Sequence, residues 1–252
     1  MIHRQALIDY LTSLLEPNAG RDYCPNGLQV EGKAHIQRLI TGVTASKRLL
    51  QRAIDANADA VLVHHGYFWK GEEAAITGMK AQRIKLLIEN ELNLLAYHLP
   101  LDIHPQFGNN ACLGALLGVE CRPPVSVGGV DGLLWHGRLP EPISPSTLSA
   151  RLADGLGQSP VHIEVEVAPI KTIAWCSGGG QKFIQAAAAL EVDAYISGEI
   201  SEQTTHEARE LGLHYFAAGH HATERAGVKT VGEHLADQFE IEHEFIDDPN
   251  PA

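Results

Sequence analysis

Residues 38–66 read RLITGVTASKRLLQRAIDANADAVLVHHG. RLITGVTAS has the apolar and β-branched content of a strand that ends at a turn. Ser46 then opens an amphipathic helix over SKRLLQRAIDANA, and ADAVLV is an apolar run with no polar break. A strand that is apolar at every position is buried on both faces, as in a parallel sheet covered by helices. The stretch is therefore a βαβ unit and implies an α/β protein. At its end stand two imidazoles, His64 and His65, where Gly66 permits the strand to break.

Working outward, a helix over MKAQRIKLLIENE and a strand over LNLLAYH follow. LPLDIHPQFGNN reads as a loop, and ACLGALLG as a helix capped by Asn109 or Asn110. The first half ends near Val119. Residues 120–169 differ in texture: CRPPVSVGGVDG and LPEPISPS are rich in Pro and Gly and flank a strand at LLWHGRL and a helix at STLSARLADGLG. From Lys171 the first pattern resumes, with strand KTIAWC, glycine turn SGGG, helix QKFIQAAAAL, strand VDAYIS, helix EQTTHEARELG and strand HYFAAG. A long helix from about Thr223 to Phe239 and a last strand, IEHEFID, close the chain.

The halves can be laid on one another. AIDANADAVLVHHG over AAALEVDAYISGEI matches Asp59 with Asp193 and sets His64 and His65 over Gly198 and Glu199. LLAYHLPLD and HYFAAGHHATE then correspond, each releasing acid and imidazole groups just after an apolar run. Open α/β sheets place their sites at the carboxyl ends of their strands. We expect two similar α/β domains, residues 1–125 and 126–252.

Composition bounds the function. The chain of 252 residues is 44% hydrophobic, enough for a sizeable core, and its formal charge of −12 opposes binding to a phosphate backbone, with no local basic patch to override it. No stretch approaches membrane-spanning length, MIHRQALIDYLTSLLEP lacks the core of a signal peptide, and a cytoplasmic address is expected. Cys24, Cys112, Cys121 and Cys176 form no CxxC pair, which argues against a thiolate zinc site or a disulfide framework.

The chemistry gathers in three places. Two successive histidines at a strand end offer nitrogen lone pairs for metal ligation or acid–base work. In GHHATE, His220 and Glu224 are four apart and share a helix face, with His221 on the same turn. In HLPLDIH, Asp102 lies just past a strand end. Five donors, His64, His65, Asp102, His220 and Glu224, exceed one tetrahedral ion and suit two ions that share a carboxylate. Nitrogen and oxygen donors suit zinc, iron, manganese or a similar divalent ion, which would acidify a water into a hydroxide nucleophile. His98, Glu199 and His206 are candidates for orienting the ligands or moving protons. SGGGQKF, at residues 177–183, is the one candidate phosphate cradle.

PNGLQVEG, ADAVLVHHGYFWKG, HLPLD, GNN, WCSGGGQ, SGE and AAGHHATER together resemble the GTP cyclohydrolase 1 type 2 homologues, the Nif-three-like proteins, and among them the bacterial YbgI-like members. The resemblance runs from about residue 20 to the end. It implies two interlinked α/β domains, a dinuclear metal site in the cleft between them and a toroidal homohexamer. It carries metal ligation onto His64, His65, Asp102, His220 and Glu224, with Glu224 as the bridge. The sequence departs from many relatives in having Gly66 where they carry Pro, and residues 120–169 are too short for the inserted domain of longer ones. The implied function is a hydrolase using two divalent ions per subunit, with metal-bound hydroxide attacking a nucleotide or related heterocycle. The competing expectation is a metal-binding or metal-sensing ring without turnover.

Overall fold

In the computed structural model of the protein, the described residues are 1–16, 22–166 and 169–252. Residues 167 and 168 of the Pro- and Gly-rich segment lie outside them. The chain forms two compact units, Met1–Phe107 with Gly227–Pro249, and Gly108–Ala226 with Asn250–Ala252.

The first unit begins with β1 (Ile2–His3), α1 (Arg4–Leu15), β2 (Gly27–Val30) and β3 (His35–Ile36). The βαβ unit follows as β4 (Arg38–Thr44), α2 (Lys47–Asp55) and β5 (Ala60–His65), then α3 (Gly78–Glu89), β6 (Asn93–Ala96) and α4 (Leu99–Ile103). Ser46 caps α2 as expected, its side chain accepting from the Leu49 amide at 3.0 Å. β4, β5 and β6 run parallel, and β2 is antiparallel to β6. Both faces are covered, and β5 shows it residue by residue. Val61 and Val63 enter a core with Leu49, Leu50, Ile84 and Leu87, whereas Ala60 and Leu62 face Leu7 and Leu11. The unbroken apolar run is thus explained by two cores, one on each side.

One feature departs from expectation here. LPLDIHPQFGNN contains α4 rather than loop alone. Pro100 stands at the start of that short helix, where its fixed φ suits the first turn and its missing N–H costs nothing.

The second unit comprises α5 (Asn109–Leu117), β7 (Glu120–Val127), β8 (Val130–Ile143), α6 (Pro145–Leu156), β9 (Val161–Ile163), β10 (Ile170–Cys176), α7 (Ile184–Ala188), β11 (Ala194–Ser197), α8 (Glu202–Leu211), β12 (His214–Ala217) and α9 (His220–Thr223). Gly108, not an asparagine, is the cap of α5. CRPPVSVGGVDG is not a loop: it makes β7 and the turn into β8, with irregular register around Pro123 and Pro124. The sheet order β7-β8-β10-β11-β12-β9 puts β7 at an edge, where a strand tolerates the amide that proline lacks. β10, β11 and β12 run parallel over a core built on Trp175, Ile173, Ile196 and Phe216.

The chain then enters α10 (Arg225–Phe239) and returns to the first unit at Gly227. The last strand, β13 (Glu242–Phe245), pairs in parallel with β4, Glu242 opposite Arg38 and Phe245 opposite Thr41. The first sheet therefore has the order β13-β4-β5-β6-β2. Residues Val125 and Ser126, the expected divide, sit inside β7, and the closing helix and strand belong with the first unit. The two units are interlinked in sequence.

The internal repeat is visible in the backbone of each unit. The Oδ2 of Asp59 accepts from the amides of Gln37 and Arg38 at 2.9 and 3.0 Å. The Oδ2 of Asp193 accepts from those of Lys171 and Thr172 at 2.8 Å each. In both units the acid before the middle strand ties down the start of the preceding one. Among the described residues no helix is long and apolar enough to cross a membrane.

Candidate metal centre

The first unit supplies imidazoles from the carboxyl end of β5. Strand geometry continues through His65, so alternation alone would part the two rings, yet their centroids lie 4.5 Å apart. The chain turns at once beyond them, and it turns in a tight space. A Cβ on residue 66 would stand 2.2 Å from Gln29 Oε1 and 2.6 Å from the Ala96 methyl, so only glycine passes. Gln29 of β2 grips the next residue at both ends, accepting from the Tyr67 amide at 2.7 Å and donating to its carbonyl at 3.1 Å.

Each ring is held from behind. His64, fully buried, has Nδ1 3.1 Å from the Tyr97 carbonyl. A carbonyl only accepts, so Nδ1 carries the hydrogen and Nε2 the lone pair. That Nε2 lies 3.6 Å from Oδ2 of Asp102, a buried carboxylate on α4. His65 Nδ1 lies 3.2 Å from the Thr44 hydroxyl. His98, at the start of α4, joins them, its ring centroid 5.1 Å from that of His64. A ligating nitrogen from each of His64, His65 and His98 lies within 4.8 Å of the others.

The second unit supplies His220 and Glu224 from the end of β12. His220 opens α9 and Glu224 forms the break between α9 and α10, rather than both standing at the start of one long helix. The expected pairing survives the break: His220 Nε2 lies 3.2 Å from Glu224 Oε2. Glu199, just past β11, approaches the other nitrogen, with Oε1 2.6 Å from His220 Nδ1, and its Oε2 accepts from Gln181 at 2.9 Å. Burial by itself would lower the basicity of His220, but the carboxylates of Glu224 and Glu199 outweigh it and lift the pKa to about 9. The hydrogen bond from His220 in turn holds the Glu199 carboxyl below its usual value. This is a pocket of negative potential around a nitrogen ligand, and what raises a proton's affinity there raises a metal cation's as well.

The SGGG turn closes on this pair. Gly178 has φ of +60°, and a Cβ there would stand 2.0 Å from Glu224 Oε1 and 3.0 Å from His220 Nε2. Three amides of the turn are engaged within the protein: that of Ser177 donates to Asn110 Oδ1, that of Gly178 to Thr223 Oγ1 and that of Gly180 to the Gly178 carbonyl, which leaves fewer N–H groups for an anion. Below it, the Tyr195 hydroxyl donates to the Gly180 carbonyl at 2.7 Å and that of Tyr215 to the Glu199 carbonyl at 2.6 Å, pinning both loops.

His206 stands apart from these groups. It is an exposed residue of α8 whose Nε2 lies 3.0 Å from Glu202, an ordinary i, i+4 surface pair. His221 is buried. Thr44, Gln29 and the two tyrosines carry no local sign of their roles; only the glycine run of the SGGG turn marks its place in advance.

The donor set suits a divalent first-row ion: imidazoles with Nδ1 engaged, carboxylates buried beside them, and no thiolate required. The model of the Duf34/NIF3 (NGG1p interacting factor 3) family matches residues 2–251. A Pseudomonas aeruginosa protein named GTP cyclohydrolase 1 type 2 homolog is 50% identical over 246 residues, 98% of this chain and 97% of its own. Among solved structures, that of the protein ybgI, described as of unknown function, is 47% identical and covers 100% of both chains with a TM-score of 0.95. TTHA1606 from Thermus thermophilus is 32% identical, again over 100% of both chains, with a TM-score of 0.90.

Proposed function

The chain belongs to the Duf34/NIF3 (NGG1p interacting factor 3) family, and from that premise we propose that it is a hydrolase working with two divalent metal ions on a nucleotide or related heterocycle. His64, His65 and Asp102 of the first unit and His220 and Glu224 of the second would together hold the ions. The reading is carried by one observation: an imidazole beside a buried carboxylate in each unit, His64 with Asp102 and the half-buried His220 with Glu224. The substrate class is taken from relatives named GTP cyclohydrolase 1 type 2 homolog.

When bound, divalent ions supply Lewis acidity and bring the pKa of water toward neutrality. The chain's own residues do the rest. The Tyr97 carbonyl fixes the tautomer of His64, and Thr44 steadies His65. Glu199 holds His220 by Nδ1 and turns Nε2 toward Glu224. His98 moves a proton beside the first-unit imidazoles. A ring of six copies belongs to the same reading and rests on the family resemblance; light scattering on eluted protein would read six times the chain mass, and a monomer mass would remove it.

The test is metal content followed by turnover. Purified protein reconstituted with zinc or manganese is expected to carry two ions per chain and to hydrolyse GTP or a member of a panel of phosphoesters and cyclic amides, with Glu224→Ala losing both ion retention and turnover. Two ions with no turnover across the panel would overturn the hydrolase and leave a metal-binding protein. Fewer than one ion per chain would overturn the centre itself.

A further inference from the structure

The segment DYCPNGLQVEG precedes and forms β2, and the proposed function gives no role to the residues at its start. In the structure they close on His98. Asp22 Oδ1 lies 2.7 Å from His98 Nδ1 and accepts from the Tyr23 amide at 2.6 Å. Its Oδ2 accepts from the Leu99 amide at 3.0 Å and from the Asn26 side chain at 2.9 Å. Asn26 Oδ1 takes the amide of His98 itself at 2.8 Å. The edge of Trp69 closes a further side, its ring centroid 4.9 Å from that of His98 at 83°. The Asp22 side chain is 8% exposed and that of His98 14%.

Four donors converge on one carboxyl group, two on each oxygen, with no place left for a hydrogen of its own. Burial alone would push the Asp22 carboxyl up, but the hydrogen bond from His98 and those from Asn26 and Tyr23 outweigh it and hold the pKa at about 2. An ionised carboxylate only accepts, so His98 Nδ1 must carry the hydrogen. The nitrogen that remains for the grouping with His64 and His65 is Nε2. Cys24 also has its sulfur near Asp22 and His98; burial, and then the charge of Asp22, push its thiol up to about 12, leaving it a thiol at neutral pH.

We propose that Asp22 is a positioning residue, fixing His98 as its Nδ1–H tautomer and turning the Nε2 lone pair into the space shared with His64 and His65. A carboxylate behind a histidine is the usual means of setting which ring nitrogen works. The role of that lone pair, accepting a proton from the attacking group, rests on the hydrolase reading above; the tautomer does not.

The experiment exploits that independence. Long-range proton–nitrogen correlation on the metal-free full chain, labelled with ¹⁵N-histidine, reads the tautomer of each ring at pH 8. Wild-type His98 is expected to show hydrogen on Nδ1 and a bare Nε2. In Asp22→Asn the new amide NH₂ must face two donors whichever way it lies, so His98 is expected to shift toward the Nε2–H form, with the pattern of His64 unchanged. Wild-type His98 with its hydrogen on Nε2 would overturn the proposal without any variant. So would an Asp22→Asn spectrum matching wild type. With the substrate of the preceding test, Asp22→Asn is expected to lower kcat about tenfold to a hundredfold, with KM and zinc stoichiometry unmoved. A tautomer shift accompanied by no turnover in wild type would retain Asp22 as positioner and count against the hydrolase alone, whereas unchanged kcat in an active enzyme would remove the catalytic role of His98.

Discussion

Glu199 acts through another residue, and this gives it a measurable signature. Its carboxylate stands behind His220 at 2.6 Å, so Glu199→Gln keeps the shape and removes the charge. We expect zinc affinity to fall about tenfold to a hundredfold with melting nearly unchanged, as read by competition with a chromophoric chelator; unaltered affinity would show that His220 needs no support. Gly178 makes a harsher test. Alanine there must displace the Glu224 carboxylate, because its Cβ would lie 2.0 Å from Oε1, and it adds about 1 kcal/mol of left-handed backbone strain. Metal retention by Gly178→Ala is expected to fall below half that of wild type, measured by elemental analysis after dialysis. At this scale the sequence was a partial guide. His64, His65, His98, Asp102, His220, Glu199 and Glu224 all sit in the polar groupings to which their places at strand ends pointed. His206 does not, since an imidazole at the fifth position of a helix with an exposed face has the same local sequence signature as one facing a site. Asp22 could not be found, because it meets His98 across 76 residues of chain and no periodicity connects a loop residue with a strand end.

Among the elements, the paired acids of the repeat bear weight. Asp59 tethers two amides at the start of β4 and makes an ion pair with Lys33 at 2.7 Å. Burial pushes its carboxyl up, and the Lys33 and backbone hydrogen bonds outweigh that and lower it. A carboxyl lowered in the folded state contributes stability above its unfolded pKa of about 4, and that contribution is lost as pH falls through the folded value. Asp59→Ala is therefore expected to lower stability by about 2 kcal/mol at pH 7, with the gap to wild type narrowing below about pH 4 in urea titrations. A gap that stays constant down to pH 2 would mean that the carboxylate's charge contributes nothing. The βαβ alternation itself was legible because the strands are buried on both faces and the helices carry an apolar stripe. Two elements were not. α4 spans five residues, too few for a helical period to show, and β7 is a strand despite Pro123 and Pro124 because an edge position relieves the ladder of the amides that proline cannot give.

For the whole molecule, the telling pair is β13 with β4, joined across some two hundred residues of chain. Removing residues 241–252 would leave β4 as an outer strand, although Leu39, Ile40 and Thr41 are fully buried, and would bare an apolar edge of the kind that templates aggregation. The shortened chain is expected to lose amide protection at residues 39–45 in hydrogen exchange while β10 and β11 keep theirs; equal protection in both forms would show that β13 is dispensable. Local patterning gave the strand but not its neighbour, since nothing in IEHEFID distinguishes an edge of one parallel sheet from an edge of the other.

That return of the chain also sets an order of birth. A ribosome delivers residues 1–107 first, yet the sheet they form lacks its outer strand until residues 242–245 emerge. Everything needed for the other body, apart from three terminal residues, is by then outside the exit tunnel. The part made earliest is finished last, and a nascent chain with residues up to about 230 outside the ribosome would carry one body complete but for its three terminal residues and one still waiting for its closing strand, the state in which cellular chaperones have most to protect.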